Sequence, residues 1–483
     1  MKLDRFLTGS LLSGGLLLSS YGFAGEQIMV DKAEYEQLKA AVKLLMEESK
    51  TSKQAVQDAQ QAASEAAASA QAASKEAERV AERGRAAPKK VASTGGRISG
   101  NEFNPAISLI LDGRYTDIDN SDLELPGFQL GGEAGLPDNG FTTGHNELVI
   151  SANIDDKFYG ALTAAIVYDE GETEFELEEA YIETLGLGHG LTLKGGRFFS
   201  GIGYLNSIHD HAHDFADRPL VYDALFGGHL METGLQARWV APTDFYLSFG
   251  AEVTSGSEFP GGENDNNNGL GFFVKTGGDI NESSSWQLGA SYYTTDFDVR
   301  EAGGHSHGHG DDEADNELLD GDVDIAGIDF VYKWAPNGNP KQTNFKFQAE
   351  YFVRDEKGHA EFTEGLNSAE ADYDGEQEGF YAQAIYQFMP AWRVGVRYDH
   401  LEADNRFINF VDNGIDLDEF LEESGLGTVD DPNRTSVMLD YTPSHFSRIR
   451  LQYSEFDNGL DDTEDMITLQ YIMSLGSHGA HSY

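Results

Sequence analysis

Beyond residue 103 the apolar residues recur at every second position in runs of about ten, and the runs are joined by connections of two kinds. The first run, AISLILDGRY, sets Ile107, Leu109 and Leu111 against Ser108, Asp112 and Arg114. A period of two places alternate side chains on opposite faces of an extended strand. Runs of this kind lie at 106–115, 145–154, 159–168, 174–185, 191–199, 231–240, 245–253, 270–278, 286–294, 323–334, 344–354, 379–388, 392–400, 434–441, 446–455 and 466–476, sixteen in all. Runs of even rank end in short turns, such as DDK at 155, GLGHG at 186, APTD at 241, APNGNPKQ at 335, MPA at 389 and TPSH at 442. Runs of odd rank mostly lead into long polar segments, at 116–144, 200–230, 295–322, 355–378 and 401–433. An even number of strands with short turns on one rim and long loops on the other predicts an all-β fold, an antiparallel transmembrane β-barrel of about sixteen strands.

Composition agrees with that reading. Gly is abundant at 55, Tyr and Phe together reach 50 (21 and 29), Pro is only 12, and the mean hydropathy of -0.43 is too polar for a helical membrane protein. No run of about 18 apolar residues follows residue 30, which excludes helical spans. Trp239 and Trp334 come just before short turns, and Trp286 and Trp392 just after them, so all four are expected at one level, an aromatic girdle at the periplasmic interface.

The opening MKLDRFLTGSLLSGGLLLSSYGFA has Lys2 and Arg5, an apolar stretch and a small-x-small site ending at Ala24, and reads as a secretory signal peptide over 1–24. An exported chain with no cysteine holds its fold by burial and hydrogen bonding alone. A net charge of -50 argues against nucleic acid and anionic headgroups as partners and makes cations the natural counter-species.

Between signal and barrel the period changes. Tyr35, Leu38, Val42 and Leu45, then Val56, Ala59, Ala63, Ala66, Ala70, Ala73, Ala77 and Val80, follow a three-four spacing, with Ser49 and Ser52 at the seam between the two sets. That heptad predicts a coiled coil over 25–83, a periplasmic stalk whose Ala-rich seam is weak unless its strands are held together elsewhere. Gly84, Pro88, Gly95, Gly96 and Gly100 break the helix, so 84–102 reads as a linker and 103–483 as the barrel.

The last run, MITLQYIMSLG, alternates Ile467, Leu469, Tyr471, Met473 and Leu475 outward against Thr468, Gln470 and Ser474 inward, and the chain closes on Tyr483. With the signal and the spacing of sixteen strands, it resembles Gram-negative porins of the trimeric type, and ELEEAYIETL and GRFFSGIGY look somewhat like the phosphate-selective kind. The tail SHGAHSY departs from that pattern, in which the terminal aromatic ends the strand itself. The resemblance implies an outer-membrane channel for passive diffusion of small hydrophilic solutes, a homotrimer embedded in lipid and lipopolysaccharide. It also implies that the third outward loop, 200–230, folds into the barrel, which puts His209, Asp210, His211, His213, Asp214, Asp217, Arg218 and Asp223 at the constriction. Inward polar faces are expected at Arg393, Arg397 and Asp399, at Arg448 and Arg450, and at Lys346, Gln348, Glu350 and Arg354, because Arg or Lys facing lipid costs about 2 to 4 kcal/mol. Arg393, Arg397, Arg448 and Arg450 would then form a basic pore wall opposite the acidic loop, with a transverse field between them.

The stretch HDHAHD, 209–214, and HSHGHGDDE, 305–313, each carry an H-x-H-x-H run. Alternate imidazoles suit zinc and its first-row neighbours, so His209, His211 and His213, and His305, His307 and His309 beside Asp311 and Asp312, are candidate metal ligands. A solvated histidine-rich loop and a pH-sensitive pore are the alternatives. DNGIDLDEFLEE scatters Asp412, Asp416, Asp418 and Glu423 as a calcium loop does, but Leu417 stands where the turn needs Gly. The acidic loops offer Zn2+ or Ca2+ sites and a rim that bridges lipopolysaccharide through divalent ions. No cofactor is required and no enzyme is expected: the one G-x-S-x-G match, GHSHG at 304–308, lies in a histidine-rich loop. A zinc-uptake channel and an envelope tether gripping peptidoglycan through the coil are the rival readings.

Overall fold

In the computed structural model the described residues are 105–476, apart from 121–122, 132–133, 170–171, 265–267, 302–314, 429 and 461–462. The signal, the heptad segment, the linker, the run His305, His307 and His309 with Asp311 and Asp312, and Tyr483 all lie outside them.

The alternating runs form one antiparallel sheet. In chain order its strands are β1 (Ala106–Asp117), β2 (Gly140–Thr143 continued by Asn146–Asn153), β3 (Phe158–Asp169), β4 (Glu172–Thr184), β5 (Leu191–Phe199), β6 (Met231–Val240), β7 (Tyr246–Thr254) and β8 (Gly269–Asn281). They continue as β9 (Ser284–Glu301), β10 (Asp315–Trp334), β11 (Asn344–Glu364), β12 (Asn367–Met389), β13 (Trp392–Asn413), β14 (Asn433–Ser444), β15 (Ser447–Asp457) and β16 (Thr463–Gly476). The two pieces of β2 both pair with β1, so seventeen segments make sixteen strands. Each strand pairs with its neighbours in sequence, and β1 closes the barrel on β16, with Ser108 opposite Gly476 and Asp117 opposite Ile467. Closure leaves no edge.

The break in β2 has a local cause. A Cβ at Gly144 would stand 2.4 Å from Asp112 Oδ2 and 2.6 Å from Arg114 Nε, so a larger residue there would displace that ion pair. Asn146 Oδ1 then accepts from the Asp112 amide at 3.1 Å and closes the gap in the ladder.

Faces alternate as the sequence predicts. On β15 Ile449, Leu451 and Tyr453 are exposed outward, while Arg448, Arg450 and Gln452 are buried inward. The same holds for Arg393, Arg397 and Asp399 on β13, and for Gln348, Glu350 and Arg354 on β11, whose side chains meet groups inside the barrel. Outward positions of β10 read Trp334, Tyr332, Phe330, Ile328, Ala326 and then Asp324. Ten residues at about 3.3 Å rise, tilted by roughly 40°, span about 25 Å, the height of the apolar band of an outer-membrane barrel. Its lower edge carries the four tryptophans beside short turns, Trp392 packing on Tyr441 at 4.7 Å and Trp239 on Phe249 at 5.8 Å. Along the upper edge outward tyrosines meet the first carboxylates: Tyr292 donates to Asp324, Tyr453 to Asp465 at 2.6 Å, and Tyr351 to Glu378.

Five strands run past that edge, which corrects the loop assignment. β9 to β13 are 18 to 23 residues long, and the segment 355–378, read as a loop, is a continuous hairpin turning at Gly365 and Leu366 between Glu364 and Asn367. Above the bilayer the outward face meets water and turns acidic, while the inward face packs a buried apolar cluster that includes Leu318, Val323, Phe362, Ala371 and Tyr373, so the apolar side changes over while the ladder continues. The segment DNGIDLDEFLEE holds α2 (Leu417–Glu423, numbered after the α1 described below), with Asp416 Oδ1 capping the Glu419 amide at 3.1 Å. That N-cap accounts for Asp416, and Asp418 and Glu419 occupy the first turn, where acids suit the helix dipole.

Candidate functional site

Residues 200–230 connect β5 to β6 and fold into the barrel. Asn206 fastens the base of this loop, donating to the Ser200 and Leu230 carbonyls, both at 2.9 Å, and accepting from the Leu230 amide at 2.8 Å. At its end a fully buried helix, α1 (Leu220–Phe226), packs on β12 and β13, with Phe226 against Phe352 at 5.1 Å. Glu350 of β11 gathers the loop: it accepts from the hydroxyls of Tyr222 at 3.0 Å and Tyr381 at 2.6 Å and from the amides of Tyr204 and Leu205. A carboxylate with four donors is satisfied without a counter-charge.

All eight loop residues singled out from the sequence lie in this inserted segment, but the expected field across an open gap is not what the structure holds. The acids rest directly on the basic wall. Asp214 pairs with Lys346 and with Arg393 at 2.9 Å, and Arg393 continues to Asp440, which Arg450 also holds at 2.8 Å. Asp217 pairs with Arg397 at 3.1 Å and Arg434 at 2.9 Å, while Asp399 holds Arg397 at 2.8 Å. Arg448 donates to the carbonyls of His211 and His213, and Arg450 to that of His213 at 3.0 Å. The fork of a guanidinium fits carboxylates and paired carbonyls, so wall and loop neutralise each other on contact. Burial opposes charge on Asp217, yet Arg397 and Arg434 hold its pKa at about 2. Burial likewise opposes charge on Asp214, and Lys346 and Arg393 keep it well below the usual carboxylate range. Asp210 is held down in the same way by Arg218, at 2.7 Å, and His229, at 2.9 Å. Asp223, inside α1, behaves differently: burial pushes it up to about 7 against the pull of Arg218 and Arg434.

The three histidines of HDHAHD do not converge on one point. His213 turns to Asp210 and His229, whose rings and carboxylate form one cluster, and its Nε2 meets the Ile208 carbonyl at 2.8 Å. His209 and His211 stack at 5.9 Å and face the wall on the other side. There His211 Nδ1 lies 2.7 Å from Glu147 Oε1, and His209 lies 3.2 Å from Glu178 and 3.1 Å from Glu179. A bulge in β4 opposite Thr163 and Ala164 turns Glu178 inward next to Glu179. A third group, His400, Glu402 and Asp431, sits outside the loop.

Sequence reasoning missed Glu147, Glu178, Glu179, His145, His229 and Arg434. One signal was available: two adjacent glutamates inside a strand of strict alternation mark a bulge. Elsewhere on the inner wall, half-buried or exposed bases remain at Lys194, which lies 4.3 Å over the Tyr181 ring, at Arg238, and at Lys275, which donates to the Gly203 carbonyl at 2.6 Å.

No family model matches the sequence. Among solved structures, the barrel is similar to the trimer form of OmpT, an outer-membrane protein of Vibrio cholerae, at 10% identity and a TM-score of 0.44, covering 77% of this chain and 99% of that one. It is similar to the outer-membrane channel DcaP of Acinetobacter baumannii at 13% identity and a TM-score of 0.44, covering 77% and 97%. An anion-selective porin from Comamonas acidovorans gives 10% identity and a TM-score of 0.43, covering 77% and 99%. In sequence, an uncharacterized protein of Aquifex aeolicus is 31% identical over 407 residues, 79% of this chain and 80% of that protein. At that identity and coverage, the chain belongs to one family with the Aquifex aeolicus protein.

Proposed function

We propose that the protein is an outer-membrane porin that passes small hydrophilic solutes by diffusion, with a preference for cations and no chemical step. The observation that carries the reading is a sixteen-strand barrel, apolar outward and charged inward, whose third outward loop is folded into the lumen. Sixteen strands enclose room for water where eight do not. Supporting the cation preference, the strand extensions above the apolar band expose Asp355, Glu376, Glu402 and Asp404. These carboxylates raise the local cation concentration at the mouth and offer divalent bridges to lipopolysaccharide. The histidine face of the loop adds a place for a divalent metal.

The test is the reversal potential of the purified protein in a planar bilayer under a salt gradient. Cation-selective steps in groups of three support a trimeric porin, and silent membranes refute the channel. Replacing both acids, Asp210→Asn with Asp214→Asn, removes one carboxylate partner each from Arg218, Lys346 and Arg393, so the reversal potential moves toward anions; an unchanged value removes the loop from selectivity. A second reading, anion preference, is favoured by the inner bases Lys194, Arg238 and Lys275, and the sign of the potential decides between the two. A tether role for the coil predicts sacculus binding that is lost when 25–100 are removed.

A further inference from the structure

The face of the inserted loop that meets β2 and β4 brings a histidine between two glutamates. Glu147 has no solvent exposure, and Glu178 and His209 are largely buried. Neither Glu147 Oε2 nor Glu178 Oε2 accepts a hydrogen bond, and both lean instead on Nδ1 of His209, at 3.5 and 3.2 Å. A buried carboxylate oxygen without a donor is costly, and here two share one target.

Each of the three groups has a further side chain behind it, at hydrogen-bond distance for Glu147 and His209 and a little beyond it for Glu178. Glu147 Oε1 is fixed by His211 Nδ1 at 2.7 Å, Glu178 Oε1 lies 3.6 Å from His145 Nδ1, and His209 Nε2 lies 3.1 Å from Glu179 Oε2. A ligating histidine whose other ring nitrogen donates to a carboxylate is the usual outer-sphere arrangement of a metal centre. One donor atom from each of Glu147, Glu178 and His209 lies within 4.8 Å of the other two. A tetrahedral ion with bonds of about 2.0–2.1 Å sets its ligands roughly 3.3–3.4 Å apart, which the distances of 3.2 and 3.5 Å bracket.

We infer that Glu147, Glu178 and His209 bind one first-row divalent cation, with His145, His211 and Glu179 orienting them, and that the ion staples the inserted loop to the wall. This deepens the metal element of the proposed function and is independent of conduction. One nitrogen and two oxygens with a free fourth position suit zinc or a neighbouring transition ion. Calcium takes six to eight oxygens, more than this cluster offers. The ligands come from β2, β4 and the loop, so the ion joins three segments that the sequence keeps apart.

The test uses full-length protein folded in detergent, in a background with His305→Ala, His307→Ala and His309→Ala, titrated calorimetrically with zinc chloride. One equivalent is expected to bind. Glu178→Gln is expected to abolish it, and Glu179→Gln to weaken it about 10- to 100-fold, the effect of losing an outer-sphere partner. Heat-modifiable migration on gels checks that each variant keeps its barrel. No zinc binding in the background protein overturns the inference, as does binding that survives Glu178→Gln or is lost only with His213→Ala. Bilayer conductance of the same preparation is read separately, so failure of the channel and failure of the metal site are distinguishable.

Discussion

Asp217 is the acid whose removal most directly tests how the loop is held inside the barrel. It joins Arg397 at 3.1 Å and Arg434 at 2.9 Å and accepts from Gln452 at 2.6 Å. Breaking a buried pair from one side costs about 3–5 kcal/mol, because the partner charge stays behind. In Asp217→Asn two guanidiniums remain, but Asp399 still lies 2.8 Å from Arg397 and 3.7 Å from Arg434. One charge is thus left unbalanced, which places the cost near the lower bound, about 3 kcal/mol, or roughly two orders of magnitude in the docking equilibrium.

Hydrogen exchange reads that equilibrium directly, since local opening exposes the amides of α1. The expected result is exchange about 100-fold faster at α1, with the amides pairing β14 and β15 unchanged. Adding Arg434→Gln removes the stranded charge and recovers part of the protection. Because Arg397 and Arg434 depress the Asp217 pKa to about 2, its contribution is full above 3.8 and lost as pH falls through about 2. Unchanged exchange in Asp217→Asn at neutral pH would refute the claim that these ion pairs anchor the loop.

Two further outcomes follow from the same segment. Asp223 titrates in the opposite sense: burial raises it to about 7 among Arg218, Arg434, Asp217 and Asp210, so its contribution is full below 3.8 and lost as pH rises through about 7. Protection of α1, corrected for intrinsic exchange, should therefore fall between pH 4 and 8 in the native chain and stay flatter in Asp223→Asn; equal slopes contradict the assignment. Phe352, with no solvent exposure, packs edge-on against Tyr222 at 5.7 Å and Phe226 at 5.1 Å. Phe352→Ala should cost about 3–5 kcal/mol, seen as a lower thermal midpoint for loop release while the gel mobility of the folded barrel persists.

Much of the barrel is legible locally. Whether Ile449 faces lipid and Arg448 the lumen is decided by the character of each residue and a period of two, with no knowledge of the partner strand. The bounds of β5 and β6, 191–199 and 231–240, come out to the residue for that reason. The extensions of β9 to β13 were not legible, because above the bilayer the pattern reverses: the outward face turns acidic, at Asp355 and Glu376 among others, while the inward face packs apolar residues such as Leu318, Phe362, Ala371 and Tyr373. The inserted loop was placed by resemblance, and its eight residues were named, but their partners were not. Asp217 meets Arg434 across more than two hundred residues, and His211 meets Glu147 from the opposite direction along the chain.

What the sequence by itself determines is therefore the number of strands, their inward and outward faces, and the rim on which the long loops lie, since lipid and water impose a repeating local pattern. What only the tertiary structure decides is which charges touch. It folds 200–230 against the wall, so acids and arginines that separately suggest a field neutralise each other, and it splits HDHAHD into two faces. Coulomb and hydrogen-bond energies fall off over a few ångströms, and only closure of β1 on β16 brings groups hundreds of residues apart within that range.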